Sequence, residues 1–401
     1  MIVKYPHFSR SLIMESELTP FFIAEISANH CGKLSLAKKL IKCAKDNGAS
    51  AVKLQTYTAD MMTIKSSKKY FQINEGLWKG YQLWDLYDEA HTPLEWHKNL
   101  FDYANKLKIK ILSTPFCEEA VDFLENLNCF MYKVASFEMT DLPLIKKIAK
   151  TGKPMIISTG LADLNEIEET FNYAKKCGAK DISLLYCVSK YPARVTDFNI
   201  NNIKILKEKF NCKVGLSDHS KNTHIARAAI AAGADIIEKH IALDNQKKGL
   251  DIEFSLKGKE IKNFINDINE TYNILGKNFF FREKSESKSK IFRRSIFAVK
   301  NIKKGEKFSK DNIRRIRPGH GLPPKYYEEL LKSHSEEEIK LTGLYYKNDK
   351  TEKFIDRFNS RITFPVNNIT GDTIAFGRRI IRESKLAKYI NSPETEFYKK
   401  G

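Results

Sequence analysis

At 401 residues the chain has room for two or three domains, and 42% hydrophobic against 29% charged residues excludes wholesale disorder. No stretch approaches the roughly 18 consecutive apolar residues of a membrane span, and the first twenty residues lack the apolar core of a secretory signal. The formal net charge of +19 is uneven: residues 281–401 hold 29 Lys/Arg against 16 Asp/Glu, whereas the first 280 hold 39 against 33. A basic C-terminal third could meet nucleic acid or a phosphorylated ligand, although solvated lysines account for most of it. The seven cysteines (Cys31, Cys43, Cys117, Cys129, Cys177, Cys187, Cys212) are scattered, odd in number and free of any CxxC pair. That pattern reads as reduced thiols in a cytoplasmic protein.

Short β-branched runs then alternate with longer amphipathic stretches, the pattern of parallel β/α units. The runs are Phe21–Ile26, Ala51–Leu54, Ile109–Leu112, Met131–Val134, Met155–Ile157, Ile182–Leu185, Val214–Leu216 and Ile236–Glu238. Eight runs predict a closed (β/α)8 barrel, and the lack of GxGxxG after the first argues against a dinucleotide fold. A polar cluster follows every run. In order these are Glu25 with Asn29 and His30, Lys53 with Gln55, Ser113-Thr114, Lys133 with Ser136 and Glu138, Ser158-Thr159, Ser189 with Tyr191, Ser217-Asp218-His219, and Glu238-Lys239-His240. The C-terminal strand ends of such a barrel build its active site. Any one cluster is explained by strands running into loops, but eight at one phase are not. Between the second and third runs, Thr92 as N-cap, Pro93 at the first helical position and Glu95 closing a capping box predict a helix start. Trp96, Leu100 and Tyr103 then recur at helical spacing and are expected to face the core.

His219 and His240 end neighbouring runs. Adjacent strands lie about 4.8 Å apart, so two imidazoles there can share one divalent ion, with Asp218 and Glu238 beside them. A site of two histidines and waters keeps open positions to polarise a carbonyl. Mn²⁺ or Mg²⁺ suits oxygen-rich surroundings, while imidazole also suits zinc. Lys53 and Lys133, with Ser136, Ser158 and Ser217, converge on one small anion such as a phosphate. A Schiff-base lysine is the competing reading, since barrel lysines do form imines. No desolvated pocket of the kind that lowers a lysine pKa is evident from the sequence.

Residues from about 20 to 331 resemble the sialic acid synthase family of N-acetylneuraminic, legionaminic and pseudaminic acid synthases. The matching segments are AEISANHCG (24–32), VKLQTY (52–57), LSTPF (112–116), KVASFEMTDLPLI (133–145), ISTGLA (157–162), SKYPA (189–193), GLSDHS (215–220) and EKHIALD (238–244). AEISANH and YDEAHTPLEWH (87–97) are similar to the pseudaminic branch, and Cys31 stands where the family often has Asn. The resemblance implies condensation of phosphoenolpyruvate with an amino-sugar aldehyde. It implies His219 and His240 as ligands of a divalent metal, Mn²⁺ or Mg²⁺. Lys53, Thr114, Lys133, Ser136, Ser158, Ser189 and Ser217 match positions that hold phosphoenolpyruvate. Glu25, Gln55, Tyr191 and Asp251 match positions around the sugar, and Glu238 one that orients water. Glu25, Glu238 and the two histidines are the expected catalytic set.

The expected organisation is a barrel over 1–281, a charged linker over 282–292 (REKSESKSKIF from Arg282), and a partial antifreeze-protein-like (SAF) domain over 293–335. Arg317, in the motif RPG, matches the arginine that this small domain inserts into the partner subunit's active site, which implies a domain-swapped homodimer. The second half-repeat of the small domain is absent. Residues 340–401 instead resemble a fragment of the bacterial DNA primase catalytic core, through 345–379 and 388–401. The primase zinc module and acidic metal site are missing, so primer synthesis is not expected, although Arg378, Arg379 and Lys388 could touch a phosphate backbone. Ile362, Phe364, Ile374 and Phe376 alternate like a hairpin. A neuraminic or legionaminic acid synthase is the rival enzyme, and a nucleic-acid-binding protein acting through the tail is the rival class.

Overall fold

In the computed structural model each of the eight runs is a strand: β1 Phe21–Glu25, β2 Ala51–Thr56, β3 Lys110–Pro115, β4 Tyr132–Val134, β5 Met155–Ser158, β6 Ile182–Cys187, β7 Lys213–Asp218 and β8 Ile236–Ala242. The structure describes residues 20–276, 279–303 and 305–332, and beyond them 345–348, 351, 354–356, 361–368, 373–380 and 389–391. The strands pair in chain order, all parallel, and β1 pairs with β8, so the barrel closes. Helices between them bury one stripe each. In Leu142–Lys150, for instance, Leu144, Ile145, Ile148 and Ala149 are buried, and the Asp141 side chain accepts the Leu144 amide at 3.2 Å to cap the start. The strands are buried on both faces, as parallel strands wrapped by helices must be.

Phe21, Ile23, Ala51, Leu112, Met131, Ile156, Leu185 and Ile236 fill the barrel interior toward the N-terminal strand ends. Gly215 is required in that layer, because a Cβ there would run into the Ile236 carbonyl and side chain. With the lower half packed, the open half at the C-terminal ends is left for polar side chains.

The helix after β2 differs at its start from the sequence expectation. It runs Leu94–Lys106 with Pro93 at the N-cap position and no side-chain cap. Thr92 is buried, and its hydroxyl lies 3.3 Å from His30 Nε2 instead of over the helix end. Leu100 is fully buried, and Trp96 and Tyr103 pack half-buried against the core.

On the next turn His97 is fully buried, with Nε2 2.9 Å from Thr56 Oγ1, which lies 2.6 Å from Ser113 Oγ. Burial lowers the His97 pKa to about 4. An unfolded histidine takes its proton near pH 6.5, so the unfolded state protonates first and stability falls as pH drops from about 6.5 to 4. The span corresponds to about 3 kcal/mol. His97→Gln is therefore expected to be weaker at pH 7 but to lose less of its remaining stability by pH 4. Urea titrations across that window test this, and equal slopes would exclude His97 as the acid-sensitive group.

A second compact unit begins at Phe279. The stretch read as a linker forms 3₁₀ turns over Lys284–Phe292 with no buried side chain. Strands Ser295–Ala298 and Ile313–Ile316 pair antiparallel over a small core of Ile296, Ile313 and Tyr327. Further along, Arg361–Asn367 pairs antiparallel with Thr373–Ile380, the hairpin that the alternation predicts, and Tyr389–Asn391 adds to it. Residues 333–335, Lys388 and the side chains of Arg378 and Arg379 lie outside the described residues. All seven cysteines are free, and no helix among the described residues is long and apolar enough to cross a membrane.

Candidate active site

The period of two along a strand decides which member of each polar cluster faces inward. Glu25, Lys53, Gln55, Lys133, Ser158, Ser217, Glu238 and His240, from six strands, line one cavity of about 500 Å³ at the C-terminal barrel mouth. Loop residues Ser136, Ser189, Tyr191, His219 and Asp251 line it too. Thr114 stands behind this wall, accepting a hydrogen bond from Lys53 Nζ at 3.2 Å. Arg317 belongs to the second unit, exposed just beyond the strand Ile313–Ile316.

Two ammoniums and two carboxylates form the floor. Lys53 Nζ pairs directly with Glu25 and lies 3.8 Å from Glu238 Oε2. Lys133 Nζ donates to Ser158 Oγ at 2.6 Å and to the Val134 carbonyl at 2.8 Å, and lies 3.9 Å from Glu238 Oε1. Ser217 Oγ donates to Glu238 Oε1 at 3.0 Å. Burial acts to lower the Lys53 pKa, but Glu238 and Glu25 outweigh it and hold the ammonium above the ordinary lysine value. Lys133 goes the other way: burial dominates, and Glu238 only partly offsets it. At 2% exposure Lys133 occupies a desolvated pocket that is not evident from the sequence. Glu238 is pushed up by burial, yet Lys133 and Lys53 bring its pKa below the usual carboxylate value.

Beside the floor, Gly160 lets two hydroxyls converge. Its amide donates to Ser136 Oγ at 3.2 Å, and a Cβ there would collide with Ser189 Oγ and come within 2.7 Å of Ser136 Oγ. This corner, with the two lysines, offers cationic and hydroxyl donors to a small dianion.

The two imidazoles meet as the strand spacing predicts, with ring centroids 5.5 Å apart. His219 Nδ1 lies 3.1 Å from the Val188 carbonyl, so Nε2 is the ring nitrogen that could hold an ion. His240 Nδ1 is buried and makes no hydrogen bond, with Asp251 Oδ2 3.4 Å away. Tyr191 and Phe254 pack on these rings at 4.5 Å and 4.8 Å. Among the described residues no three His, Cys, Asp or Glu side chains cluster for a metal. His219 and His240 alone could hold an ion only with water or substrate completing its shell. Asp218, expected beside the histidines, points outward and pairs with Lys239 at 2.9 Å.

Other cavity residues had no role assigned from sequence. Cys187 faces inward two residues before Ser189, with Sγ 3.9 Å from His219 Nδ1. Met62, Ile73, Trp78, Leu83, Leu86 and Tyr87, from the excursion between β2 and the helix Leu94–Lys106, form an apolar wall with Phe116. Trp78 donates Nε1 to the Leu250 carbonyl at 3.2 Å, so its polar edge is already satisfied. Helical spacing of Leu83, Leu86 and Tyr87 looks like ordinary core, so nothing local marked them as cavity lining.

Glu138 was visible as part of the fourth cluster. Burial raises its pKa to about 7, and its Oε2 makes no hydrogen bond. It therefore carries a proton below about pH 7 and a charge above it. The pH profile of kcat/KM should bend near 7, and Glu138→Gln should lose that bend. A variant that keeps it would assign the inflection elsewhere.

The NeuB family model matches residues 40–279, and the model of the DNA primase catalytic core, N-terminal domain, matches 298–401, a span that takes in the small segment as well as the tail. A pseudaminic acid synthase of Campylobacter jejuni is 43% identical over 80% of this chain and 93% of its own length. An N,N'-diacetyllegionaminic acid synthase of the same species is 41% identical over 79% of this chain and 97% of its own. A crystal structure of an N-acetylneuraminic acid synthetase from Leptospira borgpetersenii, in complex with citrate, superposes with a TM-score of 0.61. It is 31% identical and covers 68% of this chain and 90% of that one. With a closed barrel, a charged mouth and relatives matched over nearly their whole length, the chain belongs to the NeuB family.

Proposed function

We propose that the chain is a pseudaminic acid synthase, condensing phosphoenolpyruvate with 2,4-diacetamido-2,4,6-trideoxy-L-altropyranose to give pseudaminic acid and phosphate. The observation that carries this reading is one cavity lined by a dianion corner at Lys53 and Lys133, by two imidazoles and by an apolar wall. The wall suits an acceptor that carries methyl groups where other amino sugars carry hydroxyls, because buried hydroxyls without partners are costly.

Lys53, Lys133, Ser136, Ser158, Ser189 and Ser217 hold phosphoenolpyruvate, with Thr114 steadying Lys53 from behind. Gln55, Tyr191, Asp251 and Glu25 hold the open-chain sugar. His219 and His240 would hold a divalent ion, Mn²⁺ or Mg²⁺, which when bound would supply Lewis acidity for the sugar's carbonyl. C3 of phosphoenolpyruvate attacks the aldehyde carbon, forming the new C–C bond and leaving C2 cation-like. Glu238 orients the water whose oxygen adds to C2; one of its protons ends on the alkoxide left by the aldehyde and the other on the phosphate that departs by C–O cleavage. The floor ammoniums stabilise the charge that shifts onto the departing phosphate.

Phosphate release from phosphoenolpyruvate with a panel of amino-sugar acceptors tests the reading. The 6-deoxy diacetamido L-altro sugar should exceed the others in kcat/KM. Preference for N-acetylmannosamine or the legionaminic precursor would move the chain to a sister activity, and no release with any acceptor would overturn it.

Arg317 belongs to the same reading, as the residue that a domain-swapped partner adds to the sugar end. Arg317→Ala should raise the sugar KM and leave phosphoenolpyruvate binding intact. A chain ended after Ser335 should remain a dimer and keep most of its activity. Joint loss of dimer and turnover on truncation would make the primase-like tail structural.

A further inference from the structure

The sequence motif around β7 and β8 contains two charged residues that the proposed reaction does not use. Asp218 and Lys239 are direct cross-strand partners, 0% and 1% exposed, on the face of the sheet turned away from the cavity. Lys239 Nζ donates to Asp218 Oδ2 at 2.9 Å, to the Ser220 carbonyl at 2.6 Å and to the Asp218 carbonyl at 3.3 Å, so all three of its protons are engaged. Asp218 Oδ1 in turn accepts the Ser220 amide at 2.8 Å. The Phe264 ring lies 5.8 Å from the ammonium. His219 is thus held on both sides, through Asp218 and Ser220, by the residue that directly precedes His240.

We propose that the Asp218–Lys239 pair is a positioning device that sets the separation of His219 and His240. A buried ion pair is a poor source of stability compared with apolar residues of the same size. What it does provide is a fixed geometry, because three directional bonds tie the turn after β7 to the middle of β8. Packing alone would let that turn shift along the strand. Conserved outer contacts of this kind orient metal-binding side chains, and their loss costs about 10–100-fold in metal affinity. The inference rests on the synthase reading and its two-histidine site.

The test is the double variant Asp218→Asn/Lys239→Met, which removes both charges and keeps shape and the Ser220 amide acceptor. Asp218→Asn alone serves as the milder companion if the double variant does not fold. Mn²⁺ binding is read by electron paramagnetic resonance, phosphoenolpyruvate binding by calorimetry and sugar KM by phosphate release. The expected result is folded protein with Mn²⁺ affinity lower by about 10–100-fold, a raised sugar KM and unchanged phosphoenolpyruvate binding. Unchanged Mn²⁺ affinity in a folded variant overturns the proposal, as does equal weakening of both ligands, which marks a general structural role. Wild-type protein that turns over phosphoenolpyruvate but binds no Mn²⁺ overturns it as well. Wild-type protein that releases no phosphate refutes the synthase reading itself, a failure visible before any variant is made.

Discussion

Lys133→Met is expected to lower kcat/KM for phosphoenolpyruvate by about 10³-fold, close to the upper cost of deleting one preorganised donor at a developing charge. The residue is 2% exposed at the bottom of the cavity, so no water can stand in for its ammonium without opening the floor. Its bonds to Ser158 Oγ and the Val134 carbonyl aim the remaining charge into the space shared with Lys53 and Glu238. Loss of Lys133 also removes the largest of the influences that keep Glu238 charged, which raises the tendency of that carboxylate to protonate. The variant should therefore bind phosphoenolpyruvate weakly and release phosphate slowly, with sugar binding little changed. Direct calorimetry separates the two, and near-normal phosphoenolpyruvate affinity would refute the anchor role. The imine alternative has gained ground from the structure, because burial does depress this lysine. The amine is nevertheless tied by hydrogen bonds to Ser158 Oγ and the Val134 carbonyl, with Glu238 3.9 Å away, so borohydride with sugar or pyruvyl ligands should trap nothing. An adduct mapped to Lys133 would replace the phosphate-anchor mechanism.

His219→Ala is expected to abolish turnover by about 10³-fold or more, matching the several kcal/mol that a Lewis acid supplies at a carbonyl. Chelation of the wild-type protein should have the same effect, and Mn²⁺ should restore it. The basis is the pair of rings 5.5 Å apart, one with Nδ1 turned to a carbonyl and the other with Nδ1 3.4 Å from the Asp251 carboxylate. With only two protein ligands, the ion should be removable by mild chelators, unlike a four-ligand structural site. Activity that survives in chelator-treated His219→Ala protein would show that carbonyl polarisation comes from elsewhere in the cavity.

Much of this was determined by sequence alone. Eight β-branched runs with a polar cluster after each fix a parallel barrel and the end that carries its chemistry, because strand period and helix period are local properties. Thirteen of the fifteen anticipated site residues line the cavity, from Glu25 to Asp251. Only tertiary structure sorted neighbours within a cluster. Ser217 and Glu238 turn inward while Asp218 and Lys239 turn outward, a choice made by barrel closure and β7–β8 register. Thr92 lost its capping role to a long-range contact with His30, which no local window contains. Lys133 became a desolvated lysine only when its surroundings from β5 and β8 were in place. Leu83, Leu86 and Tyr87 likewise have the spacing of a core helix, and only the excursion's path over the barrel mouth makes them a wall. Period is encoded residue by residue, whereas desolvation and cavity shape depend on residues far apart in the chain that meet only when the sheet closes on itself.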